Sequence, residues 1–562
     1  MPDGRVISTG FVRLGLTSNG SAVDGTVKVL SVSTLRMLDR VPRAQITIQD
    51  GDPATQDFPV SASETFAPGA KIEVLTGYGD GDAKVFSGIV TRQRLTAGRG
   101  GDTLLVIELK DPVVASTVAR VSRVSVDSTD ADAIRAALEA PGVTVEMEDG
   151  ETQAQIVQAQ ATGWDFALAR ARAMGLVIDC DGGTISIRRL DLSQAPSATL
   201  EFGQGIFRFD IELDAEAPLA EAVVTGWSPA DQETVSAEAT DPSTAVDGLA
   251  DVLGGRDAVH DAGGRSAAAL DMQVGARLTR HAQAGLRGTV EVQGRADIAP
   301  GAVVSLKGFG RRFETQVLVG GVRHEIGRGD WLTTLELGLP LPSAAATPQA
   351  AAIPPIAGLQ LATVEGLTDG EGEDAITVTL HVAPDTPLRA RLATLEAGDG
   401  RGLVMRPSIG DEVVVGFLGD DPRDPVVLGA LHSSAHPAPV PGDDENAVKA
   451  YVSQKESRLE FNDARPAITL STAGGASLVL DDDAGKVILT DQNGNEIELS
   501  ASGISIAAGK ALKLDAGTDL EGKAGTNLGM EAGGQAAVSG SAGASFESSA
   551  ICVVKGALVQ IN

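Results

Sequence analysis

Cysteine is almost missing from this chain. Cys180 and Cys552 are the only two, and they lie far apart in sequence. They form neither a disulfide framework nor a zinc-ligand spacing. Aromatic residues make up only 3% of 562 residues, so a large aromatic-lined cofactor pocket is not expected. Positive charge is scarce as well: 45 Lys and Arg stand against 76 Asp and Glu, a formal net charge of −31. That balance argues against nucleic acid or anionic lipid as the main partner. No run of about 18 apolar residues is present to span a bilayer. The start, MPDGRVISTG, lacks a basic region followed by an apolar run, so no secretory signal is expected. Neither a G-x-S-x-G elbow nor a phosphate-cradling G-x-x-x-x-G-K-[ST] loop occurs.

The scattered chemical side chains are read as structural, with no catalytic residue, cofactor or metal expected. His432 and His436 would share a face only on a helix, and the surrounding prolines oppose one. The acidic clusters Asp50/Asp52, Glu371/Glu373/Asp374 and Asp481/Asp482/Asp483 lack the Gly and Glu positions of a calcium loop and read as solvated turns. Cys180 sits in a hairpin with no identifiable base and reads as a small buried hydrophobe.

What the chain does have is 43% hydrophobic residues and 67 glycines, the composition of several β-rich domains. Residues 1–120 alternate apolar and polar residues between Gly/Asp-rich turns and read as a first β-barrel. Residues 121–195 are an α+β subdomain. It holds a helix near 128–139 with Ser128 as N-cap, a second at 162–174 stopped by Gly175, and a hairpin turning at Gly182-Gly183. Residues 196–340 are a second barrel with one helical stretch near 265–283. An Ala/Pro-rich linker occupies 341–357. A small Gly-punctuated barrel follows at 358–440, a neck at 441–480, and a hairpin-rich remainder at 481–562 that turns at Asn493-Gly494.

The tail carries a fixed period. Gly509, Gly517, Gly525 and Gly533 each follow the last by eight residues, and so do Ile504, Leu512, Leu520 and Leu528. Ile506, Leu514 and Met530 form a second row, interrupted at Gly522. The glycines are read as turns and the apolar rows as a core. Eight extended residues span roughly 26 Å at about 3.3 Å each, enough for one face of a triangular prism. A single chain making all three faces needs a repeat near three times longer. The octad therefore points to three chains, each supplying one face at a time. A single-chain solenoid with three similar faces is the alternative.

Residues 402–437, GLVMRPSIGDEVVVGFLGDDPRDPVVLGALHSSAHP, resemble the oligomer-binding (OB) collar of VgrG-type and phage-baseplate spike proteins. The matching positions include Pro407, Gly410, Glu412, Val413, Gly416, Phe417, Asp421, Pro422, Pro425 and Gly429. Trp164, Phe166, Arg170, Arg172 and Gly175 resemble the helix-then-hairpin segment of that family's hub. Residues 288–313 with His324 and Trp331 resemble its second barrel. LDDDAGKVILTDQNGNEIEL and the octads resemble its needle.

The resemblance implies a mainly β fold: hub β-barrels with a small α+β insertion, an OB-fold collar and a C-terminal intertwined trimeric β-helix. It also implies a homotrimeric spike. Its hub would meet a hexameric inner-tube protein and baseplate proteins. Its blunt end would take a PAAR-type tip protein, and cargo effectors would travel with it. It would touch the target membrane only in transit. Such a protein is made in the cytoplasm and leaves with the injection particle. The stretch after 432 is too short for the lysozyme domain of some phage spikes, and no effector domain follows the octads. Val553, Val554, Lys555, Leu558, Val559, Ile561 and Asn562 are the expected tip contact; Cys552 falls in the final strand, where an inward orientation would bring three copies together near the axis. The expected role is mechanical, not enzymatic. The alternative is a secreted carbohydrate-active β-helix enzyme with accessory barrels.

Overall fold

The computed structural model describes residues 10–561, apart from 80, 100–101, 229–232, 241–244, 262–266, 342–354 and 369–373. Most of the expected linker at 341–357 thus lies outside the described residues, as do Glu371, Glu373 and Asn562. The chain divides into two units, one ending at His432 and the other starting at Ser433.

In the first unit, alternation in runs such as Arg43–Gln49 and Lys71–Tyr78 sends Ile46, Ile48, Ile72 and Val74 into one core with Leu105, Ile107 and Leu109. Here the structure differs from the expected pair of separate hub barrels. Strands of both regions belong to one 13-stranded sheet. The join is the antiparallel pairing of Val29–Met37 with Gln316–Gly327. The cores interlock in the same way: Ile326 and Trp331, from the second region, complete the first core. A second core gathers Leu286, Val290, Val319, Leu335 and Leu337.

Trp331 is the pivot of this junction. Its ring stacks on Tyr78 with centroids 5.4 Å apart. Its indole N–H donates to Nδ1 of buried His324 at 3.3 Å. Gly294 is required beside it, because a Cβ there would lie 2.1 Å from the indole.

The insertion contains two helices, α1 (Asp130–Ala137) and α2 (Gly163–Ala173). The expected Ser128 cap is corrected by one residue. Thr129 Oγ1 accepts from the Asp132 N–H, while Ser128 stays in the strand Arg120–Thr129, paired with Gln153. Thr162 caps α2 likewise through the Asp165 N–H. Gly182 and Gly183 both take positive φ in the hairpin turn. Cys180 is buried among Ile134, Phe166, Ile178 and Ile185, and burial pushes its thiol well above the usual range. A third helix, α3 (Ala267–Ala282), packs Leu270, Val274 and Leu278 against the sheet carrying Ala222 and Val224.

The collar strands Gln360–Gly366, Ala375–Leu380, Leu388–Leu392, Pro425–Ala430 and Glu412–Phe417 close into a barrel. Val364, Ile376, Val378, Leu380, Val413, Val415 and Val427 fill it. Two further residues of the same core come from the insertion. Val124 and Val157 stand on the paired strands Arg120–Thr129 and Thr152–Thr162. Between them, Gln155 accepts from the Arg389 backbone N–H at 2.8 Å and donates to the Arg389 carbonyl at 3.2 Å.

In the Asp50/Asp52 cluster one residue departs from the expected solvated turn, while Asp52 stays exposed. Asp50 is buried, and its carboxylate accepts the backbone N–H groups of Gly51, Val60 and Ser61. It fastens a loop.

The second unit opens with a seven-stranded antiparallel meander. Its fourth strand, Ser477–Asp481, crosses the border expected between neck and spike at 480/481, and no break in pairing occurs there.

Burial lowers the His324 pKa from 6.5 to about 4. The folded first unit therefore resists a proton that the unfolded chain accepts. This contribution is full above pH 6.5 and is lost as pH falls towards 4, by about 3 kcal/mol at 1.36 kcal/mol per pH unit. Melting curves of the first-unit transition should fall over that window, and in His324→Gln the fall should be shallower. Parallel curves for the two proteins would show that His324 does not carry the effect.

Candidate functional site

The meander strands are Val448–Val452, Arg458–Asn462, Ala467–Ser471, Ser477–Asp481, Lys486–Thr490, Glu496–Ser500 and Gly503–Ala507. Their connecting turns are built from local side-chain chemistry. Asp491 accepts from the backbone N–H groups of Asn493 and Asn495, and these bonds hold its carboxyl well below the usual range. Asp481 corrects the solvated-turn reading a second time. It is buried, accepts from the Ala484 N–H and pairs with Arg465.

Register then sorts the side chains. Following the pairing across the sheet, Tyr451, Leu459, Leu470, Leu478, Leu489, Ile497 and Ile506 stand directly opposite one another in turn. Two residues away on the same face run Lys449, Phe461, Ile468, Leu480, Val487, Leu499 and Ile504. The opposite face carries Glu460, Thr469, Glu498 and Ser505, with Lys486 bound to Glu498 at 2.9 Å. One face of the sheet is thus a nearly unbroken apolar surface.

Within one chain that surface is open. Leu470 is 53% exposed and Leu489 48%, whereas Val413 and Val427 in the collar are at 0%. Two rows of leucine-sized side chains facing solvent over seven strands mark an interaction surface.

The octads prolong these rows. Ile504 and Ile506 end the two rows of the sheet, and Leu512/Leu514, Leu520, and Leu528/Met530 follow at eight-residue steps, all exposed. Among the described residues after Ala507 there is no strand or helix. The backbone bends at 509–510, 517–518, 525–526, 533–534, 541–542, 549–550 and 557–558. Gly509, Gly517, Gly525 and Gly533 each open such a bend. The period thus outlasts the glycines that reveal it in sequence. Val538, Phe546 and Val554 continue the row of Ile506, and Cys552 continues that of Ile504. The expected tip residue Val554 therefore lies on the row of Ile506, and it is exposed. Val553, Lys555, Leu558, Val559 and Ile561 are described as exposed.

The upstream face at 448–500 escaped sequence reading. Its signal was present in the recurring five-residue strands with Leu, Ile, Phe or Tyr at alternate places. Only the register shows that these places align.

The collar motif is brought together on one hairpin. Pro407 and Gly410, the latter at φ 91°, make the turn into Glu412–Phe417. Val413 enters the core, and Leu428 and Leu359 press on Gly416. Phe417 packs against the same core. Asp421 is buried and is gripped by Arg423, whose Nη2 donates at 2.6 Å and Nε at 3.0 Å. Arg423 also lies 3.7 Å from Asp261 in the hub. Pro422 and Pro425 flank this clamp, and Gly429 lies in Pro425–Ala430.

Comparison with known proteins agrees with this layout. A family model described as the Alg8 N-terminal domain matches residues 8–328, more than half of the chain. The type VI secretion system/phage-baseplate injector OB domain matches 360–432, and the phage baseplate V C-terminal trimerisation domain matches 467–528. Over 71 residues the chain is 37% identical to the type VI secretion system spike protein VgrG4b of Pseudomonas aeruginosa. That match spans 13% of this chain and 8% of the relative's length. Among solved structures, a chain of the lidded Francisella PdpA–VgrG complex aligns with a TM-score of 0.53 at 8% identity, covering 86% of this chain and 81% of that one. A chain of the lidless PdpA–VgrG complex aligns with a TM-score of 0.51 at 8% identity, covering 89% and 98%. These likenesses show a VgrG-like fold, mainly β, with an OB collar ahead of a trimerisation domain.

Leu489→Asp should disrupt self-association, because it places a charge in the middle of the apolar face. Lys486→Gln, on the opposite face of the same strand, should leave it intact. Light scattering on a sizing column distinguishes them. Equal masses for the two variants would show that the apolar face is not the contact surface.

Proposed function

We propose that this chain, which belongs to the family described as the Alg8 N-terminal domain, is the homotrimeric structural spike of a contractile injection machine. The observation that carries the reading is the open apolar face of the meander, continued by octads whose backbone has no strand partner in its own chain among the described residues. Three chains satisfy both needs at once. Each supplies one face of a triangular shaft. Ile504, Ile506, Leu512, Leu514, Leu520, Leu528 and Met530 turn inward, and Gly509, Gly517, Gly525 and Gly533 form the corners.

The OB domain and trimerisation domain matches support this reading, as does the 37% identity to a type VI spike over 71 residues. In this reading the 13-stranded hub joins a hexameric inner tube and baseplate proteins. The collar passes load to the shaft, and a PAAR-type protein covers the end formed by Val553, Val554, Lys555, Leu558, Val559, Ile561 and Asn562. The particle is assembled in the cytoplasm and carries the spike, with any cargo effectors, to the target envelope.

The role is mechanical. A shaft whose ladder is shared among three chains separates only when many strands unpair together, which gives a high unfolding barrier. The three chains together would carry −93, three times the −31 of one chain, which opposes non-specific association.

The native mass should be near 172 kDa, three times 57.4 kDa. A mass near 57 kDa would sink the trimer and return attention to the carbohydrate-active alternative. Leu520→Asp should place three charges near the axis and lower the melting temperature of the shaft; an unchanged melting curve would refute the inward assignment. Deleting 551–562 should weaken capture of the tip protein while the mass stays trimeric. Full tip binding after that deletion would exclude the proposed contact.

A further inference from the structure

We infer that the meander at 448–507 sets the register in which the three chains align, because the octads by themselves set it only weakly. This rests on the trimeric reading above. It concerns how a trimer avoids assembling out of step.

The octads are self-similar. Sliding one chain past its neighbours by eight residues lays Leu512 where Leu520 was, Leu520 where Leu528 was, and each bend on the next. Inner rows stay inner and outer residues stay outer. The losses are one unmatched octad at an end and some mismatch of size within the rows, as where Leu514 meets the level of Gly522 or Val538 that of Phe546, but no charge is buried. A β ladder fixes its register strongly only when a slip buries the wrong side chains, and here a slip of eight does not.

The meander differs in two ways. Its backbone pairing is complete within one chain, from Val448–Val452 to Gly503–Ala507. It can therefore form before any partner arrives. Its apolar face is also chemically marked at one end. Tyr451 and Phe461 sit on the first two strands in a chain poor in aromatics, and Lys449 begins one row, its Nζ bound to Asp463 at 2.8 Å. Sliding one sheet against another would carry that ammonium along the apolar rows, towards the level of Ile468 and Leu480, where burial is costly. Docking the three marked faces first brings the three Gly503–Ala507 strands level. Each octad then closes next to one already formed, so only a short loop is ordered at each step.

Cys552 offers a native reporter. It lies on the inner row six octads beyond Ile504, since 552 − 504 = 48. In register, the three Cys552 thiols come together near the axis. Because the three chains supply the three faces of each level, one octad advances a chain by one strand spacing of about 4.8 Å, and three octads of slip separate the thiols by about 14 Å. Cys180 is buried in the first unit and does not compete.

The test coexpresses the full chain with a chain lacking residues 517–540, three octads, under different affinity tags. Mixed trimers are isolated and treated with a thiol cross-linker spanning about 8 Å, shorter than the slip distance of about 14 Å expected from strand spacing. If the meander sets register, like chains cross-link through Cys552 and unlike chains fall to background. If unlike chains cross-link at the yield of like chains, the octads or the tip set register and the inference is overturned. A second measurement needs no variant. During refolding of the full chain, pulsed hydrogen exchange should find amides at 448–507 protected before those at 509–558. The reverse order would overturn the inference. A full chain that is monomeric throughout would instead refute the trimeric reading.

Discussion

A backbone amide in an extended chain needs a partner, and this one requirement organises the molecule. Strands before Ala507 find their partners within the chain. The segment after it keeps a strict eight-residue rhythm of bends and pairs with no strand of its own chain among the described residues. An extended chain with open N–H and C=O groups on both sides is a template for pairing with other chains. In this protein the template is regular, two-faced and continuous with an apolar sheet. The unmet hydrogen bonds and the uncovered leucines therefore call for the same partner, further copies of the chain.

The first unit solves the same problem differently. Its hub strands do not close into separate modules; they share one sheet through the pairing of Val29–Met37 with Gln316–Gly327. Charged groups at module borders are committed in the same spirit. Arg172 and Arg280 both bind buried Asp39, at 3.2 and 2.7 Å, and so tie α2 and α3 to the first β region. Two guanidinium partners satisfy this buried carboxylate where water is excluded.

Much of this was legible in the sequence because its signals are local. Alternation marked strands such as Arg43–Gln49, Gly182-Gly183 marked a hairpin, and the stretch near 265–283 marked α3. The collar motif was legible as a resemblance, and Val413 proved to be a core residue of a closed barrel. What escaped was non-local. The partner of Val29–Met37 lies nearly three hundred residues away, and nothing in either strand names the other. The apolar face of 448–500 was obscured because Val448, Ala450 and Val452 are apolar at the opposite parity to Tyr451. Only pairing decides which parity counts. Asp50 and Asp481 looked like surface residues because an acidic side chain that caps buried amides has the same letter as one in water.

The ribbon formed by Arg120–Thr129 and Thr152–Thr162 has a mechanical consequence. Its Val124 and Val157 belong to the interior of the collar barrel, while the ribbon itself runs into α1 and α2. The collar is therefore keyed to the insertion like a spline in a shaft. Thrust or torque on the barrel is borne by side chains locked in a common interior, in parallel with the covalent connection through 341–357. A spline resists compression and twist as well as tension. In a part that is pushed, the stiffness between hub and collar would reside in those two valines and their neighbours.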